Sequence, residues 1–369
     1  MNRYLFYMIV LVFIALMSVQ QVIFLDEAYR GSLMSILLAF IAGTGFIVWL
    51  TRLFSRFPNQ GLPEIAHRWL PRPLAVPFLL VQSALWFATG VFPLLYMCEV
   101  AKRFIDPDYA TNEPLALFLA VIVMFVNIHS LSLLYFIEII LVLTLPLLVV
   151  LCFKSYFSDQ LMSYSMMEAA SRILEAPTYG AFSAAVLLFC GCMGLVVFNR
   201  HIAPKVVNLW YLLLLSAGCF AFLLTAYFIP IGLFGADGIQ YINYPWYAVA
   251  DTLRMQYGFV DRILFITIPL NIFTTLALVL MTWHVGLQLW KSVWPNPRTV
   301  WGNLAIAYVP IAALFVFLEM VENELGFTRV KEYAAYWNWG QPVGAILVLL
   351  LLSFAARRSK RSLGGGTGT

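Results

Sequence analysis

One carboxylate, Glu138, stands inside an otherwise apolar run from Leu133 to Phe153. An ionisable side chain at membrane depth is costly, so it points to proton exchange, ion coupling or a structural partnership with a cation or hydrogen-bond donor. His129 or a nearby arginine could satisfy it, and both the proton-linked and the structural reading stay open. A second candidate is the run Gly191, Cys192, Met193, Gly194, close to the middle of another apolar stretch. Two glycines there weaken a helix and let backbone groups face a cavity. Close packing of small residues on a neighbouring helix accounts for the same run. Gln82, Trp86, Thr89, Pro93 and Tyr96 recur at helical spacing, as do Thr267, Asn271, Thr274 and Thr282, so each set forms one polar stripe on an apolar helix. Such stripes line a cavity or supply interhelical hydrogen bonds, each worth about 0.6 kcal/mol.

Other chemistries find little support. His67, His129, His201 and His284 have no carboxylate or cysteine at metal-ligand spacing, so no metal is expected. Cys98, Cys152, Cys190, Cys192 and Cys219 fall in or beside apolar runs and read as small packing residues. Glycines cluster only at Gly364, Gly365 and Gly366, a flexible tail rather than a nucleotide loop. Dispersed basic residues argue against nucleic acid as a partner. With no catalytic constellation and no cofactor motif, an enzyme is not expected.

The elements that must position these residues are membrane helices. Of 369 residues, 62% are hydrophobic and 11% charged, against about 25% charged in soluble domains. Mean hydropathy is +0.87. Backbone polar groups in lipid must be satisfied internally, so runs of about 20 apolar residues are read as spanning helices. Ten are expected, over Leu5 to Leu25, Ser32 to Leu53, Leu74 to Tyr96, Pro114 to Ile128, Leu133 to Phe153, Gly180 to Phe198, Val206 to Ile229, Ile263 to Trp283, Leu304 to Leu318 and Pro342 to Ala355. The fourth and fifth are split only around Asn127, His129 and Ser130. The first reads as a retained helix rather than a signal peptide. The fold class is thus an all-α polytopic membrane protein. It forms one transmembrane domain over residues 1–355, with helices one to five about 5–153, helices six to ten about 180–355, and a basic, Gly-rich tail over 356–369.

Charge sets the orientation. Arg3, Arg52, Arg56, Arg68, Arg72, Arg200, Lys205, Lys291, Arg298, Arg357, Arg358, Lys360 and Arg361 share one side with a single acid, Glu64. The other side holds most acids, among them Asp26, Glu27, Asp106, Asp108, Glu113, Asp159, Glu319, Glu322 and Glu324. This bias puts both termini in the cytoplasm. Two halves of five helices then have opposite topology, the 5+5 inverted repeat of the leucine-transporter-like fold, which places ligand near the midplane where the first helix of each half is broken. Helix six offers such a break; helix one carries Met17, Ser18, Gln20 and Gln21 at that depth, without glycine or proline.

The segment YPWYAVADTLRMQYGFVDR, Tyr244 to Arg262, resembles a signature of the spore-germination permease B-subunit (GerAB-type) family, within the amino acid, polyamine and organocation transporter superfamily. FPNQGLPEI from Phe57, YFIEIIL from Tyr135 and HIAPK from His201 follow the same order, so the resemblance spans the chain. Where the family has a glycine in helix one this chain has Met17 and Ser18, and Pro269 stands near the family's helix-eight tryptophan. The resemblance implies a receptor in the spore inner membrane that binds a small nutrient, an amino acid foremost. It also implies signalling to a larger germination A subunit and a lipoprotein C subunit. Carried over residue by residue, it implies a pocket lined by Gly191, Cys192, Met193 and Gly194 and faced by Ser18, Gln82, Trp86 and Asn271. A proton-coupled amino-acid transporter of the same fold is the alternative, with Glu138 as the coupling residue.

Overall fold

The computed structural model describes residues 2–105, 113–202, 207–254, 262–294, 299–324 and 327–364. Asp106, Asp108, Lys205, Val206, Asp261, Arg298 and the tail over 365–369 lie outside them. The described residues are almost wholly helical. In chain order the helices are α1 (Asn2–Asp26), α2 (Ser32–Phe54), α3 (Leu62–Trp69), α4 (Arg72–Phe104), α5 (Glu113–Phe125), α6 (Ser130–Tyr156), α7 (Ser163–Ser171) and α8 (Tyr179–Leu188). They continue as α9 (Leu195–Phe198), α10 (Leu209–Phe234), α11 (Ala236–Ile239), α12 (Pro245–Thr252), α13 (Leu264–Val293), α14 (Val300–Glu324) and α15 (Phe327–Gly364).

Eight spans among the described residues are long and apolar enough to cross a membrane: α1, α2, α4, α6, the α8–α9 unit, α10, α13 and α15. With its described residues almost wholly helical, the chain has the make-up of a polytopic membrane protein. Two expected spans are shorter. Pro114–Phe125 has 12 residues before the turn at Val126–His129, about 18 Å of rise, and Leu304–Leu318 is bounded by Asn303 and Glu319. Several boundaries also move. Helix α4 runs 33 residues through Pro77 and Pro93, and α15 continues on both sides of Pro342. The segments between the expected spans contain the short helices α3, α7 and α12.

Helix α1 is apolar apart from a few side chains such as Gln20 and Gln21, which bond Asn338 and Ala226 O, and its spanning window is buried along its whole length. Apolarity alone would suit lipid as well as protein, and it is this burial that makes α1 the centre of the bundle. Helix α6 is peripheral, with Ile139, Val142, Leu143, Val149 and Phe153 exposed for lipid contact. Helices α4 and α13 pack along each other. Ser83 Oγ donates to Gly286 O at 2.8 Å and Trp283 Nε1 to Phe87 O at 2.9 Å, so polar atoms of both helices are satisfied across the contact.

Helix ends are tied by side chains. At the far end of α1, Glu27 accepts from Ala181 N at 3.2 Å and from Thr178 Oγ1, capping α8 with a carboxylate that its dipole favours. Gly31 sits at φ 76°, with Ala176 O only 1.8 Å from where a Cβ would be, so this turn has no room for a side chain. At the face carrying the N-terminus, Asn199 Nδ2 donates to Phe57 O and Gln60 O at 2.8 and 2.7 Å, and Arg200 pairs with Glu64 at 2.9 Å. The turn after α2 is thereby docked on the end of α9.

Candidate functional site

Helix six does not run through its glycines as an α-helix. Between α8 and α9, Phe189–Gly194 winds as a 3₁₀ helix, a tighter form with poorer hydrogen bonds that commonly marks a functional interruption. Beside it lies cavity one, walled by α1, α4, α8 with the 3₁₀ segment, α13 and α15. It leaves about 50 Å³ free to the centre of a water molecule. Its apolar walls include Val12, Leu16, Leu85, Trp86, Cys190, Met193 and Leu278. Its polar groups are Gln82, Thr89, Thr282 and Gln341. Gln82 Nε2 donates to Gly344 O at 3.1 Å, Gln341 Nε2 to Thr89 Oγ1 at 3.2 Å, and Thr89 Oγ1 to Leu85 O at 2.7 Å. The helical spacing on α4 therefore brings Gln82, Trp86 and Thr89 to one wall, while α15 is joined to that wall by two side-chain amides.

Cavity two lies between α1, α6, α10, α12 and α13 and leaves about 70 Å³. Ser18, Thr144, Trp246, Thr267, Asn271 and Thr274 are its polar lining. Ser18, Thr144, Thr267 and Thr274 hydrogen-bond carbonyls of their own helices, at 2.6 to 3.2 Å. Trp246 Nε1 is buried and donates to no acceptor among the described residues.

The expected pocket residues are thus divided. Gln82, Trp86 and Met193 meet in cavity one, and Ser18 and Asn271 in cavity two. Gly191, Cys192 and Gly194 line neither. A Cβ on Gly191 would stand 2.5 Å from Ile9 Cα and 2.8 Å from Met8 O, and one on Gly194 2.7 Å from Met8 Sδ. The glycines let α1 approach the 3₁₀ segment, which is a packing role; Cys192 is fully buried, with its thiol on Phe189 O. Gln341 and Trp246 were missed, because one preceded the expected tenth span and the other lay in an expected loop.

Glu138 is remote from both cavities. It lies eight residues into α6, accepts from Tyr7 Oη at 3.2 Å and pairs with Arg3 at 3.3 Å. Its partners belong to α1, not to His129. With the Arg3 side chain 54% exposed, solvent screens the pair, which joins α1 to α6 but adds little stability.

The histidines gather at the N-terminal face. His284 Nδ1 donates to Val126 O at 2.9 Å and its Nε2 accepts from Ser130 Oγ at 2.8 Å, while the rings of His129 and His201 lie 5.3 Å apart. Burial pushes His201 below the ordinary histidine range, and His129 and Arg200 act in the same direction. No group of three His, Cys, Asp or Glu side chains among the described residues could hold a metal ion. Comparison with known proteins found no family model and no curated protein that matches the chain.

Proposed function

We propose that the chain is a transporter-fold nutrient receptor of the germination permease B-subunit type, with cavity one as its ligand site. The observation that carries the reading is the coincidence of the 3₁₀ interruption of helix six with a cavity at the junction of five helices. Such a junction suits signalling, because a ligand seated there touches α1, α4, α13 and α15 together and shifts the balance between arrangements that bind it differently. In this reading α5 and α14 complete ten spans as short helices, the halves form the 5+5 inverted repeat, and both termini face the cytoplasm. The membrane is the spore inner membrane, and the signal passes to the A subunit and the lipoprotein C subunit.

A proton-coupled amino-acid transporter is the second reading, favoured by the placement of Glu138 between α1 and α6. One pair of measurements separates the two. A receptor gives spores lacking this chain a lost response to a defined nutrient, while proteoliposomes of the purified chain show no pH-driven uptake of it. Uptake that depends on a proton gradient and disappears in Glu138→Gln identifies the transporter. A deletion with neither phenotype rejects both.

A further inference from the structure

Cavity one has a chemical character that restricts what it accepts. Among the described residues no Asp, Glu, Lys, Arg or His lines it; its hydrogen-bonding groups are two primary amides, Gln82 and Gln341, and two hydroxyls, Thr89 and Thr282. Backbone charge is not on offer either. Helix α1 is continuous from Asn2 to Asp26, so it presents no free helix N-terminus in mid-membrane to hold a carboxylate. At the ends of the 3₁₀ segment the carbonyls are already used, Val186 O and Leu187 O by Phe189 N, and Cys192 O by Leu195 N. Gly191 and Gly194, the positions where bare backbone could face a ligand, are pressed on Ile9 and Met8 instead. A carboxylate or ammonium brought into this space leaves its hydration behind and finds no countercharge. The ring of Trp86 offsets only part of that loss for a cation. An amide or hydroxyl finds matching donors and acceptors, with apolar walls for the rest of its body.

We propose that cavity one selects an uncharged small molecule with an apolar body and an amide or hydroxyl group, and excludes amino-acid zwitterions and simple ions. This rests on cavity one being the ligand site and departs from the amino acid that the family resemblance implies. The nutrient class is then neutral alcohols, amides or polyols rather than free amino acids.

The test uses one apolar body carrying different charges: isovaleramide, isoamyl alcohol, isovalerate, isoamylamine and leucine, each at millimolar concentration with the full chain in lipid nanodiscs. Binding is read as a concentration-dependent rise in thermal midpoint, since a ligand of the folded state raises it by mass action. The amide and the alcohol are expected to raise it, with the three charged compounds weaker by about 100-fold or more. Gln82→Glu puts in the wall a carboxyl that is neutral until a cation pairs with it, and is expected to admit isoamylamine while weakening the amide. Gly45→Ala, on an open lipid-facing position, is expected to bind as the unchanged chain does. Leucine or isovalerate binding as tightly as the amide, in competition with it, overturns the charge selection and leaves the site standing. No stabilisation by any of the five, or stabilisation that Gln82→Glu leaves untouched, overturns the site itself.

Discussion

Replacing Gly191 by alanine tests the junction of α1 with the 3₁₀ segment. The added Cβ would stand 2.5 Å from Ile9 Cα and 2.8 Å from Met8 O, both on the backbone of the central helix, so no side chain can simply swing away. Overpacking costs about 1–3 kcal/mol, and a rigid backbone neighbour puts this site at the upper end. Alanine returns up to about 1 kcal/mol through helix propensity, which leaves a net loss of roughly 2 kcal/mol. Two companions calibrate the series. At Gly194 the neighbour is the flexible Met8 thioether, 2.7 Å away, and the cost is smaller; at Gly45 nothing lies within 4 Å, and only the propensity gain of up to about 1 kcal/mol remains. Thermal unfolding of the three variants in one detergent should rank Gly45→Ala above Gly194→Ala above Gly191→Ala. If Gly191→Ala is as stable as Gly45→Ala, the helices are not in contact there and the packing role of the helix-six glycines is wrong.

Gly31→Ala should lose more than about 2 kcal/mol, from an unfavourable left-handed backbone and a clash with Ala176 O, read as a large drop in thermal midpoint. Asn199→Ala leaves the carbonyls of Phe57 and Gln60 without their shared donor and should cost about 1–3 kcal/mol; proteolysis at the turn after α2 should speed up in parallel. For His201 the sign follows from its lowered affinity for a proton: the neutral ring is favoured in the folded chain, so its stabilisation is complete above the unfolded value of about 6.5 and is lost as pH falls below it. His201→Gln should flatten that part of the profile of thermal midpoint against pH, and an unchanged profile rejects the assignment. Glu138→Gln should leave the thermal midpoint close to that of the unchanged chain, because its partner Arg3 is half-exposed and solvent screens the pair; a large drop means the carboxylate carries more of the α1–α6 contact than its geometry shows.

The membrane class and most helices were legible because lipid leaves the backbone few options, so apolar runs translate directly into helices. The polar stripes were legible for a related reason: Gln82, Trp86 and Thr89 repeat at the helical period, and that period alone puts them on one wall. The division of the α13 stripe was not, since Thr282 reaches cavity one while Thr267, Asn271 and Thr274, at least two turns away along the helix, reach cavity two, and the neighbouring helices at each depth decide which. Nor could composition tell a glycine that faces a ligand from one that admits a neighbouring helix; the positions of Ile9 and Met8 decide that. Pro342 hid Gln341, because a proline that opens a helix and one inside a longer membrane helix read alike in one sequence.

Ala345→Leu supplies the most direct measurement, because it fills cavity one from α15 with apolar atoms and disturbs none of the hydrogen bonds described there. Equilibrium binding of isovaleramide should disappear in a variant whose thermal midpoint is equal to or above that of the unchanged chain. Binding that persists in a folded Ala345→Leu contradicts the assignment of cavity one as the ligand site.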